Sequence, residues 1–369
     1  MEQADQQFMA RAIALAAEGL YTTSPNPRVG CVLVRDGNII AEGYHRYAGE
    51  AHAEVNAINQ AGDARGATAY VSLEPCSHTG KTPPCADALV EAGVSRVVAA
   101  MLDPNPLVAG KGLERLTAAG IVVASGVLEA QARELNPGFI KRMETGMPLV
   151  RLKLAMSLDG RTAMASGESQ WITGPQARSD VQRLRARSCA IVTGIETVLA
   201  DDAALTVRPA ELGLENAELI ARRQPLRVLV DSALRVPLTA RILSGPGPSL
   251  VISAHEDFEV AARLEETGAE LQVLASADGQ VDLTALLSLL AERQCNEVLI
   301  EAGATLAGAF WQQGLVDELI VYMAPTLMGS KARPLMALPF DTMAQQQRLE
   351  IESITPVGDD WRIDARLKN

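Results

Sequence analysis

Apolar residues fall at helical spacing from Phe8 to Gly19 (Phe8, Met9, Ile13, Leu15, Ala16), which predicts an opening amphipathic helix. Thr23-Ser24-Pro25-Asn26-Pro27 then breaks the chain into a loop. The apolar run Val29 to Val34 predicts a buried strand, and Asp36-Gly37 ahead of Ile39-Ile40 predicts a hairpin to the next one. Ala67 to Leu73 reads as a further strand, and Pro83-Pro84 as the first turn of a helix, where a missing N–H is no loss. Val97 to Met101, a helix from Leu113 to Ala119 and Ile121 to Val123 continue the alternation. It predicts a layered α/β domain with a largely parallel inner sheet, ending near Met143 to Gly146. Strand patterns recur at 149–154, 190–193, 227–230, 249–252, 297–300 and 318–322. Helical patterns lie between several of them, notably Gln176 to Arg187 and Leu283 to Glu292, so a second α/β domain follows.

Length supports the division, because 369 residues exceed what one hydrophobic core usually serves. Boundaries at 1–146 and 147–369 are expected, with Gly146 and Pro148 as punctuation. Hydrophobic residues at 48% and charged residues at 21% suit a folded enzyme and argue against a disordered chain. Residues 1–146 carry 12 basic against 16 acidic side chains and the remainder 21 against 29, so neither half has the basic stripe of a nucleic-acid binder. No apolar run is long enough to span a bilayer and the start lacks a signal-peptide pattern, which predicts a cytoplasmic protein without membrane attachment. Five cysteines, an odd number, do not form a disulfide framework. Cys31, inside an apolar run, reads as a small buried hydrophobe.

Chemistry concentrates between His52 and Cys85. His52, Cys76 and Cys85 make a three-ligand set for zinc (Zn2+), which leaves one tetrahedral position open as in a catalytic site. Glu54, two residues from His52, is placed to move a proton between an activated water and a leaving group. Cys85 sits near a helix N-terminus, which favours a thiolate. His-x-Glu followed by Pro-Cys and a second Cys is the signature of zinc nucleobase deaminases. A closed structural site with His78 as fourth ligand is the competing reading. In the second half, Gly303 and Gly308 follow a strand and precede a helical run, where backbone amides can hold a phosphate; turn and packing glycines are the plain alternative. No Gly-x-Gly-x-x-Gly opens a strand–helix unit, so a Rossmann dinucleotide site is not supported.

Pro25-Asn26-Pro27-Arg28-Val29-Gly30, His52-Ala53-Glu54, the run Glu74 to Cys85 and Asp103-Pro104-Asn105-Pro106 together resemble the deaminase domain of the bifunctional deaminase–reductases of riboflavin biosynthesis. Eight residues separate Cys76 from Cys85, and this longer loop, with His78 and Lys81, is a feature of that branch. Lys153 to Arg161, Ser169 to Thr173, Val198 to Asp202 and Glu301-Ala302-Gly303 are similar to the family's reductase domain. The resemblance implies a cytidine-deaminase-like three-layer α/β/α domain followed by a dihydrofolate-reductase-like α/β domain. It implies zinc and NADPH as cofactors and phosphorylated pyrimidines as small-molecule substrates. Asn26, His45, His78 and Lys81 would surround the first substrate. Ala155, Trp171, Thr197, Asp201, Ser232, Gly303, Ala304, Thr305, Leu306, Ala307, Gly308 and Ala309 would line the NADPH site. Ser169, Arg185, Leu205, Arg208 and Glu301 would hold the second substrate, with Arg185 and Arg208 suited to its phosphate. The implied reactions are deamination of a diaminopyrimidinone bearing a ribosylamino phosphate and hydride transfer to the anomeric carbon of the product. A homodimer or higher homo-oligomer is expected. A deaminase acting on RNA would share the first motif but leaves the second domain unexplained.

Overall fold

A computed structural model describes residues 2–77, 83–106 and 108–368, so His78 and Lys81 lie outside the described residues. The chain divides into two compact units, 1–147 and 148–369. Among the described residues no helix is long and apolar enough to cross a membrane.

The first unit runs α1 (Glu2–Ala17), β1 (Gly30–Arg35), β2 (Asn38–Tyr44), α2 (Ala53–Ala61), β3 (Thr68–Val71) and α3 (Cys85–Glu91). It continues with β4 (Arg96–Ala99), α4 (Lys111–Ala118), β5 (Val122–Ser125), α5 (Glu129–Leu135) and α6 (Pro137–Thr145). The sheet order is β2-β1-β3-β4-β5. Period-two alternation divides each inner strand between two cores. Cys31 and Leu33, Ala69 and Val71, and Val97 and Ala99 face Ala53, Ala57, Leu89 and Leu116. Val32 and Val34, Tyr70 and Val98 face Met9, Ala12, Phe139 and Ile140. Helices therefore cover both faces, and each large apolar side chain buried here contributes roughly 1.5–3 kcal/mol. The expected largely parallel sheet is corrected: β1 pairs antiparallel with both β2 and β3, and only β3-β4-β5 is parallel. The cause lies in the hairpin, where Asp36 and Gly37 both take positive φ (52° and 77°) and turn β2 straight back along β1.

The second unit begins β6 (Leu149–Ser157), β7 (Arg161–Ala163), α7 (Pro175–Arg187), β8 (Ala190–Gly194), α8 (Ile195–Asp201), α9 (Pro209–Leu212) and α10 (Ala217–Ala221). Then come β9 (Leu226–Val230), α11 (Arg241–Ser244), β10 (Ser249–Ser253), α12 (Phe258–Glu266), β11 (Ala269–Val273) and α13 (Leu283–Glu292). It closes with β12 (Glu297–Glu301), α14 (Ala304–Gln312), β13 (Glu318–Ala324), β14 (Arg333–Pro334), β15 (Leu349–Val357) and β16 (Asp360–Leu367). The main sheet has nine strands in the order β11-β10-β9-β8-β12-β6-β13-β16-β15. The first seven in that order run parallel, β16 pairs antiparallel with β13, and β15 pairs antiparallel with β16. Ile191, Leu229, Val251 and Leu299 pack with Val181 and Leu184 of α7 and Leu264 of α12. Their neighbours Val192, Val228, Ile252 and Ile300 are equally buried on the opposite face, as a parallel sheet covered on both sides requires. Strand β12 enters between β8 and β6, although it follows both in sequence, so the chain reverses direction across the sheet at that point.

Candidate active sites

In the first unit, α2 begins directly after His52 and places Glu54 in its first turn. β3 leads into Glu74-Pro75-Cys76, and Cys85 is the first residue of α3, behind Pro84. The His52 imidazole and the Cys76 and Cys85 sulfurs thus converge, with one ligand atom from each lying within 4.8 Å of the others. His52 Nδ1 is 3.2 Å from Cys85 Sγ and 3.7 Å from Cys76 Sγ. The backbone N–H of Cys85 donates to Cys76 Sγ at 3.3 Å. The Cys85 contact, then His52 and this N–H, draw the Cys76 thiol far below its ordinary range, and the same sulfur–sulfur contact pushes Cys85 upward. Glu54 is 3% exposed and its Oε2 has no hydrogen-bond partner among the described residues. Burial, and next the charge of Cys76, push its carboxyl up to about 7.

Asn26 and His45 meet beside this cluster. The His45 Nδ1 lies 3.1 Å from the Ala51 carbonyl, which only accepts, so Nδ1 carries the proton and Nε2 accepts from Asn26 Nδ2 at 3.1 Å. Burial lowers the pKa of His45, which favours that neutral tautomer. Its ring stands edge-on to His52 at 5.2 Å between centroids.

Two positioning residues here carry no sequence signal of their own. Glu74 is buried and accepts from the backbone N–H groups of Asp103 (3.1 Å), Gly110 (2.9 Å), Gly112 (2.8 Å) and Leu113 (3.3 Å). That carboxylate ties the segment entering Cys76 to the start of α4. Asn136 binds both the N–H and the C=O of Arg28, at 2.8 and 2.9 Å, and so fixes the loop that carries Asn26.

In the second unit the expected residues stand at the C-terminal ends of parallel strands or just beyond: Ala155 on β6, Thr197 after β8, Ser232 after β9, Glu301 and Gly303 at the end of β12. Open α/β sheets bind ligands along that edge, at the point where strand order reverses. Glu301 is gripped by Arg185 at 2.6 and 3.0 Å and lies 3.7 Å from Lys153 Nζ. Burial works to raise the Glu301 carboxyl, but Arg185 and then Lys153 outweigh it and hold it at about 2. Lys153 itself is pushed downward by burial, against the pull of Glu301. Arg185 is thereby committed to Glu301, and Lys153 joins the site although it had no assigned role. Ser169 Oγ donates to Asp201 at 3.0 Å, bringing those two together. Arg208 is exposed and pairs with Glu211. Leu205 packs its side chain into the core and offers only backbone, with φ at 52°. Trp171 is 69% exposed, with the Arg178 guanidinium 4.5 Å from its ring centroid.

Gly303 is the N-cap of α14, so the N–H groups of Ala304, Thr305 and Leu306 lack partners within the helix, while Ala307 N–H already bonds Gly303 O at 3.1 Å. Ala309 is half-buried and Ala307 and Gly308 face inward. A Cβ on Gly308 would lie 2.3 Å from the Ala337 carbonyl oxygen, so it is a packing glycine that lets the Ala337 backbone approach α14.

Residues 148–363 match the family model described as the RibD C-terminal domain, and residues 2–101 match that of the cytidine and deoxycytidylate deaminase zinc-binding region. The chain is 54% identical over 361 residues to riboflavin biosynthesis protein RibD of Escherichia coli, covering 96% of this chain and 97% of that one. The chain belongs to the RibD family. The RibD of Haemophilus influenzae is 49% identical over 97% of this chain and 96% of its own. A solved RibD structure from Acinetobacter baumannii superposes with a TM-score of 0.92 at 50% identity, each chain fully covered. A Thermotoga maritima structure described as a diaminohydroxyphosphoribosylaminopyrimidine deaminase and 5-amino-6-(5-phosphoribosylamino)uracil reductase gives 0.85 at 33% identity, over 100% of this chain and 99% of that one. As a RibD family member the protein is a bifunctional enzyme of riboflavin biosynthesis, with deaminase and reductase activities on a cytidine-deaminase-like unit and a reductase unit.

Proposed function

We propose that the first unit removes the exocyclic amine of a diaminopyrimidinone carrying a ribosylamino phosphate, and that the second reduces the ribosyl group of the product with NADPH. The first half rests on the convergence of His52, Cys76 and Cys85 beside the unpartnered, buried Oε2 of Glu54. One imidazole and two thiols are the donor set zinc prefers, and an orphaned carboxylate oxygen next to them is unexplained without a proton to move, so the residues fit a catalytic zinc. Zinc held there supplies Lewis acidity that makes a water nucleophilic near neutral pH. Glu54 accepts the first proton of the attacking water on Oε2 and gives it to the ring nitrogen, then carries the second proton from the newly added hydroxyl to the amine, which departs as ammonia as the ring carbonyl forms. Burial of the carboxyl disfavours its charged form, which suits a group that must hold a proton as well as give one up. Asn26, oriented by His45, presents its remaining amide atoms to the pyrimidine edge. His78 and Lys81 are assigned to the same substrate on the resemblance alone.

For the second half, the first-turn N–H groups of Ala304, Thr305 and Leu306 take a cofactor phosphate. Ala155, Trp171, Thr197, Asp201 and Ser232 shape the remainder of that site. NADPH bound there supplies the hydride, and the protein contributes orientation and charge. Glu301, fixed by Arg185 and Lys153, faces the substrate's ribose hydroxyls, with Ser169, Leu205 and Arg208 around it. The enzyme is further proposed to be a homo-oligomer: β15 is an edge strand exposed along nearly its whole length, with Ile351 and Ile354 over half exposed, and sedimentation velocity tests this.

Cys76→Ser in the full chain separates the two halves. It is expected to lose most of its zinc and its ammonia release while still oxidising NADPH when given the deaminated substrate. Full zinc content in that variant would refute the ligand assignment, and loss of both activities in a folded protein would refute the division of labour.

A further inference from the structure

The segment Arg208 to Leu212 is mounted on α7 by three side-chain to backbone bonds. Gln182 Oε1 accepts from Arg208 N–H at 3.0 Å, Ser179 Oγ donates to Glu211 O at 2.6 Å, and Arg183 Nε donates to Leu212 O at 2.9 Å. Arg178 and Arg185 lie on the same face of α7 as Gln182, at helical spacing, and Arg185 Nη1 donates to the Thr206 carbonyl at 3.4 Å, two residues before Arg208. Arg185 is taken up by Glu301. Arg208 is accessible, and its Nε and Nη2 clasp the two oxygens of Glu211 at 2.6 and 2.7 Å. The Glu211 carboxyl is held below its usual range first by that clasp, against a burial that works the other way, and then by the charges of Arg208, Arg185 and Arg178. One half-exposed carboxylate thus stands in the field of three guanidinium groups. A phosphate on the substrate needs the same kind of place: bidentate donors from an accessible arginine with further cations behind it.

We propose that Glu211 is a resident stand-in for the substrate's phosphate in the reductase unit: it holds Arg208 in the free enzyme and gives that arginine up when the phosphate arrives. This rests on the reading of Arg208 as a phosphate ligand. The stand-in keeps Arg208 extended over α7 and makes free inorganic phosphate compete with an internal anion, so a lone phosphate binds weakly unless the pyrimidine adds its own contacts.

The test is inhibition of NADPH oxidation by inorganic phosphate in the full-length enzyme, with the phosphorylated pyrimidine as varied substrate. Glu211→Gln is expected to lower the inhibition constant of phosphate, and the KM of the pyrimidine, by about two- to fivefold, the range of an exposed ion pair. KM for NADPH stays unchanged, which reports that the second unit of the variant is folded. Glu215→Gln, four residues along, should leave phosphate inhibition as it was. An unchanged or weakened inhibition in Glu211→Gln overturns the proposal, as does equal tightening in Glu215→Gln, which would mark a general field effect. If phosphate fails to compete with the pyrimidine, or Arg208→Ala leaves the competition intact, the phosphate-site reading itself falls and the stand-in with it. Competition that Arg208→Ala abolishes, without tightening in Glu211→Gln, removes the stand-in alone.

Discussion

Glu54 in the first unit and Glu301 in the second are buried to a similar degree, yet their acidities move in opposite directions. Glu54 has one oxygen without a partner and its carboxyl rises to about 7. Glu301 has two cations against it and falls to about 2. Burial alone disfavours charge, whereas burial with paired cations fixes it. The first arrangement suits a group that must take up and release a proton within one turnover. The second suits a group that must remain an acceptor throughout.

The largest expected effect follows from that contrast. Glu54→Gln keeps the size of the side chain but cannot accept a proton, so ammonia release should fall by roughly a hundredfold to ten-thousandfold. Zinc content and NADPH oxidation of the deaminated substrate should be unchanged, which metal analysis and a coupled absorbance assay would check. A variant retaining a tenth of its rate would place the proton transfer elsewhere.

Glu301 calls for a stability measurement instead. Its pKa in the folded state lies below the unfolded value of 4.5, so the stabilisation is complete above about 4.5 and is lost as pH falls towards 2. The shift corresponds to on the order of 3 kcal/mol. Arg185→Ala leaves the buried carboxylate with Lys153 alone, and denaturant melts of the second unit at pH 7 should show a loss of about 3 kcal/mol. The difference from the parent should shrink as pH is lowered through the same window. A gap that persists at low pH would mean that Arg185 stabilises through packing rather than through Glu301.

The two sites also differ in how far the chain itself announces them. His52, Glu54, Cys76 and Cys85 are chemically distinctive and sit at the ends of short elements, so spacing and residue type were enough to bring them together. The strand and helix patterns likewise located β6, β8, β9, β10, β12, β13, α7 and α13. In the reductase unit the proposed site draws on strand ends far apart in sequence, and residues such as Ala155, Thr197 and Leu205 carry no chemical signal; only the resemblance singles them out. Arg185, expected to suit the substrate's phosphate, is taken up instead by Glu301, a partner 116 residues further on. Glu74 lies in the run that carries the resemblance but has no role there, and Asn136 has none either, because both act on backbone groups, which leave no complementary side chain to find. The β15-β16 hairpin went unread although Trp361, Ile363, Ala365 and Leu367 alternate at period two, a signal present on the partner strand once β16 is recognised.

The smallest expected effect lies at the rim of the second site, where the contrast with the enclosed first site is greatest. Trp171 is mostly in solvent, held by its stack with Arg178, which in turn donates to the Thr173 carbonyl at 2.8 Å. An exposed cation–π pair is worth about 0.5–1 kcal/mol, so Trp171→Leu should raise the KM for NADPH by roughly two- to fivefold. The inhibition constant of phosphate and the rate of ammonia release should not change, because Arg178 keeps its bond to Thr173 and the first unit is untouched. A shift well above tenfold would mean that Trp171 becomes buried against the cofactor on binding, making this rim as enclosed as the site around Glu54. No shift at all would remove Trp171 from the cofactor site and leave it as a cap over Arg178.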